Sequence, residues 1–426
     1  MNKSTHSSPA LRRLLGIFTV VAALLVGVLP AHADREQPRV VSEHPVDWTP
    51  HLLDGTVYAI TTVGDTVVVG GSFTAATDAA RRVRYDRQYL LAFRAGDGRV
   101  SRFQARLDGP VHALAPGPDG TVYVGGSFQT VNGERQRGVT QLRLDTGERV
   151  PQFRASVNWG TVRSMVRREQ HLYIGGTFST VNGEPRAGLA RLHYGNGALD
   201  PAFDPQLALA GGRAAVHELA VTEDGRRLVV VGAFSHAAGA RRAQVALFDT
   251  SGREARLSEW YTDAYERPCA RVFRNSYVRG VDFAPDGSYF VVVTTGGRSH
   301  PDELCDTAAR FDVTGTGRHG PAWVNHTGGH SLYSVAITGP AVYVGGHERW
   351  HDNPHGWKAP GPGAVPREGI AALHPETGKA LPWNPGRARG VGVQDFHATE
   401  DGLYVGSDTT RLGGVYRGRL GMFPLD

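Results

Sequence analysis

The chain has 426 residues, 55 of them glycine and 3 methionine, with 46 Lys+Arg against 41 Asp+Glu and a formal net charge of +5. An apolar share of 40% and a charged share of 20% exclude both a disordered polyelectrolyte and a multi-span membrane protein. Glycine at this frequency argues against long helices, because each interior glycine costs about 1 kcal/mol relative to alanine, and without a three-residue period it excludes collagen.

Residues 1–33 read as a secretory signal. Lys3, Arg12 and Arg13 form a basic start, the apolar run 14–30 follows, and Ala31-His32-Ala33 marks cleavage before Asp34. Those three are the only charged side chains of the segment, so the mature chain carries 43 basic against 41 acidic groups. A net +2 over a domain spanning 34–426 gives no clustered excess of the kind nucleic-acid binding requires, and no membrane span remains after cleavage.

From there a repeat of about 55 residues runs to the C-terminus. One unit has Val111-His112-Ala113-Leu114, a Pro118-Asp119-Gly120 turn, Thr121 to Phe128, the loop Thr130-Val131-Asn132-Gly133, a run over 139–144, and Phe153. The next unit repeats it closely through 172–178, Thr180-Val181-Asn182-Gly183, 189–192 and Phe203. Each piece is a short β-branched or apolar run bounded by Gly, Asp or Asn, which predicts four strands per unit, with Asp-Gly at 119, 224, 286 and 401 turning the first hairpin. The second-strand signature recurs seven times, at 67–73, 122–128, 172–178, 228–234, 289–294, 342–346 and 403–407. Fourth strands carry Phe103, Phe153, Phe203, Trp260, Trp323 and Trp383; the seventh marker is Trp48, at the opposite end of the chain. The expected fold is all-β: a seven-bladed β-propeller whose N-terminal strand completes the last blade and removes two exposed edges.

The Val-Gly-Gly-x-Phe, Thr-Val-Asn-Gly and Leu-Ala-x-Leu signatures, with Cys305 to Arg310 and Gly361 to Val365, resemble the secreted actinobacterial delta-60 repeat β-propellers over essentially all of 40–426. The resemblance implies the fold and export. It transfers no catalytic residue.

Cys269 and Cys305 suit a disulfide in an exported protein, both falling on the face that carries the loops between second and third strands. That face also bears the longest decorations: 72–89, with Arg81, Arg82, Arg84 and Arg87, and 347–368, with Trp350 and Trp357. Aligned on the turn that follows, the innermost strands place Tyr58, His112, Arg163, His217, Arg279, Tyr333 and Gln394 at one equivalent position, expected to ring the channel mouth with Asp395 and His397 deeper. Two arginines and two histidines there favour an anionic or sugar-like ligand.

His347-Glu348-Arg349-Trp350-His351 matches H-E-x-x-H, which zinc proteases carry on a helix. Here it follows a strand and precedes Asn353-Pro354, so His347, His351 and His355 are at most metal candidates and no metal or cofactor is expected. Nucleophile-elbow and phosphate-loop motifs are missing. The reading is a monomeric, secreted, non-catalytic protein that binds an extracellular glycan or surface protein through its loop-rich face. The alternative is a carbohydrate-active enzyme at the channel mouth, using carboxylates such as Glu218, Asp282 and Asp395.

Overall fold

The computed structural model describes residues 36–269, 276–297 and 302–425, so the expected signal segment lies outside the described residues. Every regular element among them is a β-strand. Seven larger antiparallel sheets follow one another along the chain, each starting with a hairpin that a third strand extends. The first comprises Val57–Val63, Thr66–Gly71 and Leu90–Arg94, and the second Val111–Pro116, Thr121–Gly126 and Val139–Arg143. The third comprises Val162–Arg168, His171–Gly176 and Leu189–His193, and the fourth starts at Ala215–Val221. The fifth starts at Val278–Phe283, the sixth at Leu332–Ile337, and the seventh comprises Val393–Thr399, Gly402–Ser407 and Leu420–Pro424.

Of the four Asp-Gly turns, only Asp119-Gly120 places both residues at positive φ (51° and 68°); at 224 and 286 the glycine alone does so. Thr130-Val131-Asn132-Gly133 is more than a loop. It opens a small hairpin, Thr130–Val131 against Glu134–Arg135, with Asn132 and Gly133 both left-handed. The Asn132 side chain then works as a clamp, accepting from Arg106 N at 2.8 Å and donating to Gly147 O at 3.0 Å. Asn182 makes the same pair of bonds one repeat later, with Ser156 N and Gly197 O.

Among the described residues, four strands per repeat are present only in the fourth and fifth sheets. Elsewhere the outermost piece shrinks to single bridges such as Leu142↔Arg149, Leu192↔Leu199 and Leu373↔Ala380. Pro151, Pro201 and Pro382 follow closely, and a proline has no N–H to continue the ladder. The aromatic markers are nonetheless buried: Phe103, Phe153, Phe203 and Trp260 are each at most 1% exposed. Nor is the N-terminal segment a continuous strand. It meets the seventh sheet through Ser42 N to Pro424 O (2.8 Å) and Val46 N to Met422 O (2.9 Å), with Pro45 interrupting.

Neighbouring sheets pack through a recurring glycine. A Cβ on Gly70 would fall 2.5 Å from Val111 Cγ1, and Gly125 bears the same relation to Val162, Gly175 to Val216 and Gly345 to Val393. From the seventh sheet Gly406 meets Val57 of the first, where a Cβ would lie 2.6 Å from Val57 Cγ1. At these five junctions only a residue without Cβ lets the innermost strand seat its valine against the sheet before it; in the fourth and fifth sheets Val231 and Val293 hold the equivalent position. Cys269 and Cys305 form a disulfide across a separation of 36 residues. The arginine-rich decoration is ordered as Ala75–Thr77 against Arg84–Asp86, its turn tied by Asp78 to Arg82 N and Val83 N.

Candidate functional site

All seven residues singled out on the innermost strands line one cavity of about 390 Å³, together with Glu218, Asp282, Asp395 and His397. What puts them there is a β-bulge repeated in every sheet. The pairing register shifts between Val57/Ala59, Val111/Ala113, Val162/Ser164, Val216/Glu218, Val278/Gly280, Leu332/Ser334 and Val393/Asp395. The residue skipped is in turn Tyr58, His112, Arg163, His217, Arg279, Tyr333 and Gln394. An unpaired bulge residue is free to re-aim its side chain away from the sheet, and here each is aimed into the common space.

Within the ring, adjacent members interact. Tyr58 stacks on His112 with centroids 4.7 Å apart, and the Arg163 guanidinium donates to His217 Nδ1 at 2.9 Å. That bond makes Nδ1 the acceptor and leaves the proton of neutral His217 on Nε2, facing the cavity as a donor. Burial, with Arg279 and Arg163 nearby, pushes the His217 pKa down to about 3; burial and Arg163 push His112 to about 4. Both are neutral at physiological pH, so the fixed positive charge comes from Arg163 and Arg279. Tyr333 Oη meets His347 Nδ1 at 3.3 Å, and Gln394 Nε2 has no hydrogen-bond partner.

Below the ring the carboxylates are structural links. Asp395 Oδ2 accepts Ile60 N of the first sheet at 2.6 Å, and Asp282 Oδ2 accepts Ile337 N of the sixth at 2.8 Å. His397 Nε2 lies 3.1 Å from Thr62 Oγ1, again across the seventh and first sheets. The third and fourth sheets are joined by Ser164, which donates to Glu218 Oε1 and accepts Leu219 N. Burial pushes the Glu218 pKa up to about 7, outweighing both hydrogen bonds. A carboxyl whose pKa is raised on folding favours the native state while protonated in it and loses that benefit as pH rises from about 4.5 through 7. Glu218→Gln should therefore raise the melting temperature at pH 8 and leave it nearly unchanged at pH 4.5, as calorimetry would read.

Trp350 does not join the ring. It lines a separate cleft of about 370 Å³ with His347, Glu348, Arg387 and Arg389. The H-E-x-x-H residues occupy no helix: Trp350–His351 is a short strand paired with Val365–Pro366. His351 is fully buried with Nδ1 2.9 Å from Asn325 Oδ1, His347 is half-buried beside Tyr333, and His355 is exposed. Among the described residues no three His, Cys, Asp or Glu side chains are grouped as a metal site needs. Sequence reading missed Ser164, whose place next to a ring residue was the available signal, and the bulge itself, which leaves none.

A family model described as "Domain of unknown function (DUF5122) beta-propeller" matches residues 117–145 and 171–203. No curated protein matches the chain. Among solved structures it is similar to U3-55K, at 10% identity over 90% of this chain and 100% of that chain, with a TM-score of 0.53. It is also similar to the WD40 β-propeller domain of Doa1, at 11% identity over 90% and 96% of the two chains, with a TM-score of 0.50. At such identities the likeness is one of fold. The fold is a β-propeller.

Proposed function

We propose that this chain is a secreted, non-catalytic binding protein: a closed seven-bladed propeller, akin to the delta-60 repeat proteins, that takes an anionic extracellular ligand at its channel mouth. Acidic groups on a glycan or a surface protein are the chemistry that fits. Closure is supported by the Gly406–Val57 contact, which continues from the seventh sheet to the first the spacing seen between earlier neighbours. Export is supported by the 1–33 pattern and by the disulfide.

The observation that carries the ligand class is the donor excess of the ring. Arg163, Arg279 and His217 line the cavity as N–H donors, with one Arg279 nitrogen also donating to Ser276 O and Val278 O, while Asp282 and Asp395 are engaged by backbone amides of adjacent sheets. Guanidinium groups in a partly desolvated mouth bind carboxylate, sulfate or phosphate through charge-assisted hydrogen bonds.

Glycan-array screening of the mature protein, followed by titration of the best acidic ligand, tests this. Arg163→Met with Arg279→Met should weaken binding at least about tenfold, as losing charge-assisted bonds implies. Unchanged affinity in the double variant removes the channel from the reading. Glu218 is the group a catalytic alternative would use, so release of reducing ends that disappears in Glu218→Gln would replace binding by hydrolysis.

A further inference from the structure

A second cleft lies away from the channel, between the hairpins of the second and third repeats. It encloses about 480 Å³ and is lined by Arg135, Arg137, Arg149 and Arg154, with Ser156 and Thr180 supplying hydroxyls. This volume is in the range of small-molecule and cofactor sites. Arg149 is paired with Glu134 at 2.7 Å; among the described residues the other three have no carboxylate partner. Arg154 reaches only Pro151 O, at 3.4 Å, and the Nε atoms of Arg137 and Arg149 are buried without a hydrogen-bond partner. Beside the arginines stands Trp159, 67% exposed, with the Arg137 guanidinium 4.7 Å over one face of its ring. An indole so open to water contributes little to the core.

The repeat itself shows that the fold does not require these side chains. Fifty residues on, the equivalents of Arg135, Arg137, Arg149 and Arg154 are Pro185, Ala187, Leu199 and Asp204. Fifty residues back, Arg154 becomes Gln104, and Trp159 has no counterpart: Asp108 corresponds to Asn158 and Gly109 to Gly160, each glycine lying against the Phe128 or Phe178 backbone, so the indole sits on an inserted residue. The correspondence is structural as well. Asp108 Oδ1 accepts Gln129 N and Thr130 N, and Asn158 Oδ1 accepts Ser179 N and Thr180 N, each tying down the hairpin that follows. Arg135, Arg137 and Arg154, with an exposed indole, have thus been added to a backbone that holds without them in a neighbouring repeat, while Arg149 has Arg99 at its place in the preceding one.

We propose that this cleft binds an acidic polysaccharide, independently of the channel. The guanidinium groups hold its anionic substituents, the open face of Trp159 stacks a sugar ring, and Ser156 and Thr180 exchange hydrogen bonds with ring hydroxyls. Single-stranded nucleic acid fits less well, since its sites stack successive bases on several aromatics, and here only Trp159, beside the cleft, is open to stacking.

The test is titration of the mature protein with polygalacturonate at low and moderate salt, with dextran as the neutral comparison and single-stranded DNA as a second polyanion. Trp159→Ala with Arg154→Gln removes the inserted indole and installs the preceding repeat's residue at 154; it should weaken polygalacturonate binding at least about tenfold with the melting temperature maintained. Arg137→Ala with Arg149→Leu should act likewise, while Arg163→Met with Arg279→Met leaves this binding intact. Affinity should fall as salt rises, and dextran should not bind. Absence of polygalacturonate binding, equal binding of dextran, undiminished binding by both cleft variants, or tighter binding of DNA overturns the proposal.

Discussion

Removing residues 36–50 should cost the domain most of its stability, although the segment contains no continuous strand. It hydrogen-bonds the last strand through Ser42 and Val46, accepts the Trp383 indole N–H at Ser42 O (3.0 Å), and receives Asn384 N at Glu43 Oε1 (2.8 Å). Val41 and Thr49 are buried, and Trp48 packs between Phe93 of the first sheet and Tyr404 of the seventh. Two to three apolar side chains at about 1.5–3 kcal/mol each, with several hydrogen bonds, amount to about 5 kcal/mol or more. That is a large part of the net stability of a typical domain, so denaturant melts of the truncated chain should show a collapsed midpoint or no cooperative transition. A truncated chain as stable as the untruncated one would mean that residues 36–50 and the seventh sheet are not held together as the proposed closed ring requires.

The second large effect is expected at Trp260. Its side chain is 1% exposed, lies between Phe290, Phe311 and His319, and donates to Asp312 O at 3.0 Å. Trp260→Ala should destabilise by about 3–5 kcal/mol through the cavity it opens in the cluster shared by the fourth and fifth sheets. Trp260→Phe places there the residue that the first three repeats use at Phe103, Phe153 and Phe203. It keeps most of the packing and loses the indole hydrogen bond, so its cost should be clearly smaller, on the order of 1–2 kcal/mol. Equal losses for the two variants in chemical denaturation would show that the hydrogen bond, not the ring volume, dominates.

The strands and their turns were legible because their causes are local. Alternating β-branched residues, Asn132-Gly133 and Asp119-Gly120 each act within a few residues, and the repeat multiplied each signal. The outermost strands were over-read: the aromatic markers Phe153 and Phe203 suggested full strands, while Pro151 and Pro201 remove the N–H groups that pairing needs. The ring was found by aligning strands on their turns, yet its physical origin was not. A bulge is a property of two strands in register, and nothing in Val57-Tyr58-Ala59 alone states that Tyr58 goes unpaired. The arginine cleft was overlooked for a related reason. Arg135, Arg154 and Trp159 are spread along one repeat, and a comparison at an offset of fifty residues would have exposed them as departures from its pattern.

Sequence alone determined that this is a glycine-punctuated β-repeat chain with a basic and then apolar N-terminal stretch and a candidate disulfide, because these depend on residue type and spacing. Tertiary structure decided which side chains share a space. It brought seven bulged residues from seven sheets around one cavity, fixed the proton of His217 through the Arg163 bond, and bound Asp282 and Asp395 to backbone amides of neighbouring sheets. The physical reason is that hydrogen bonding and desolvation act over a few ångströms in space, and residues separated by 50 or more positions come within that range only once the sheets have packed.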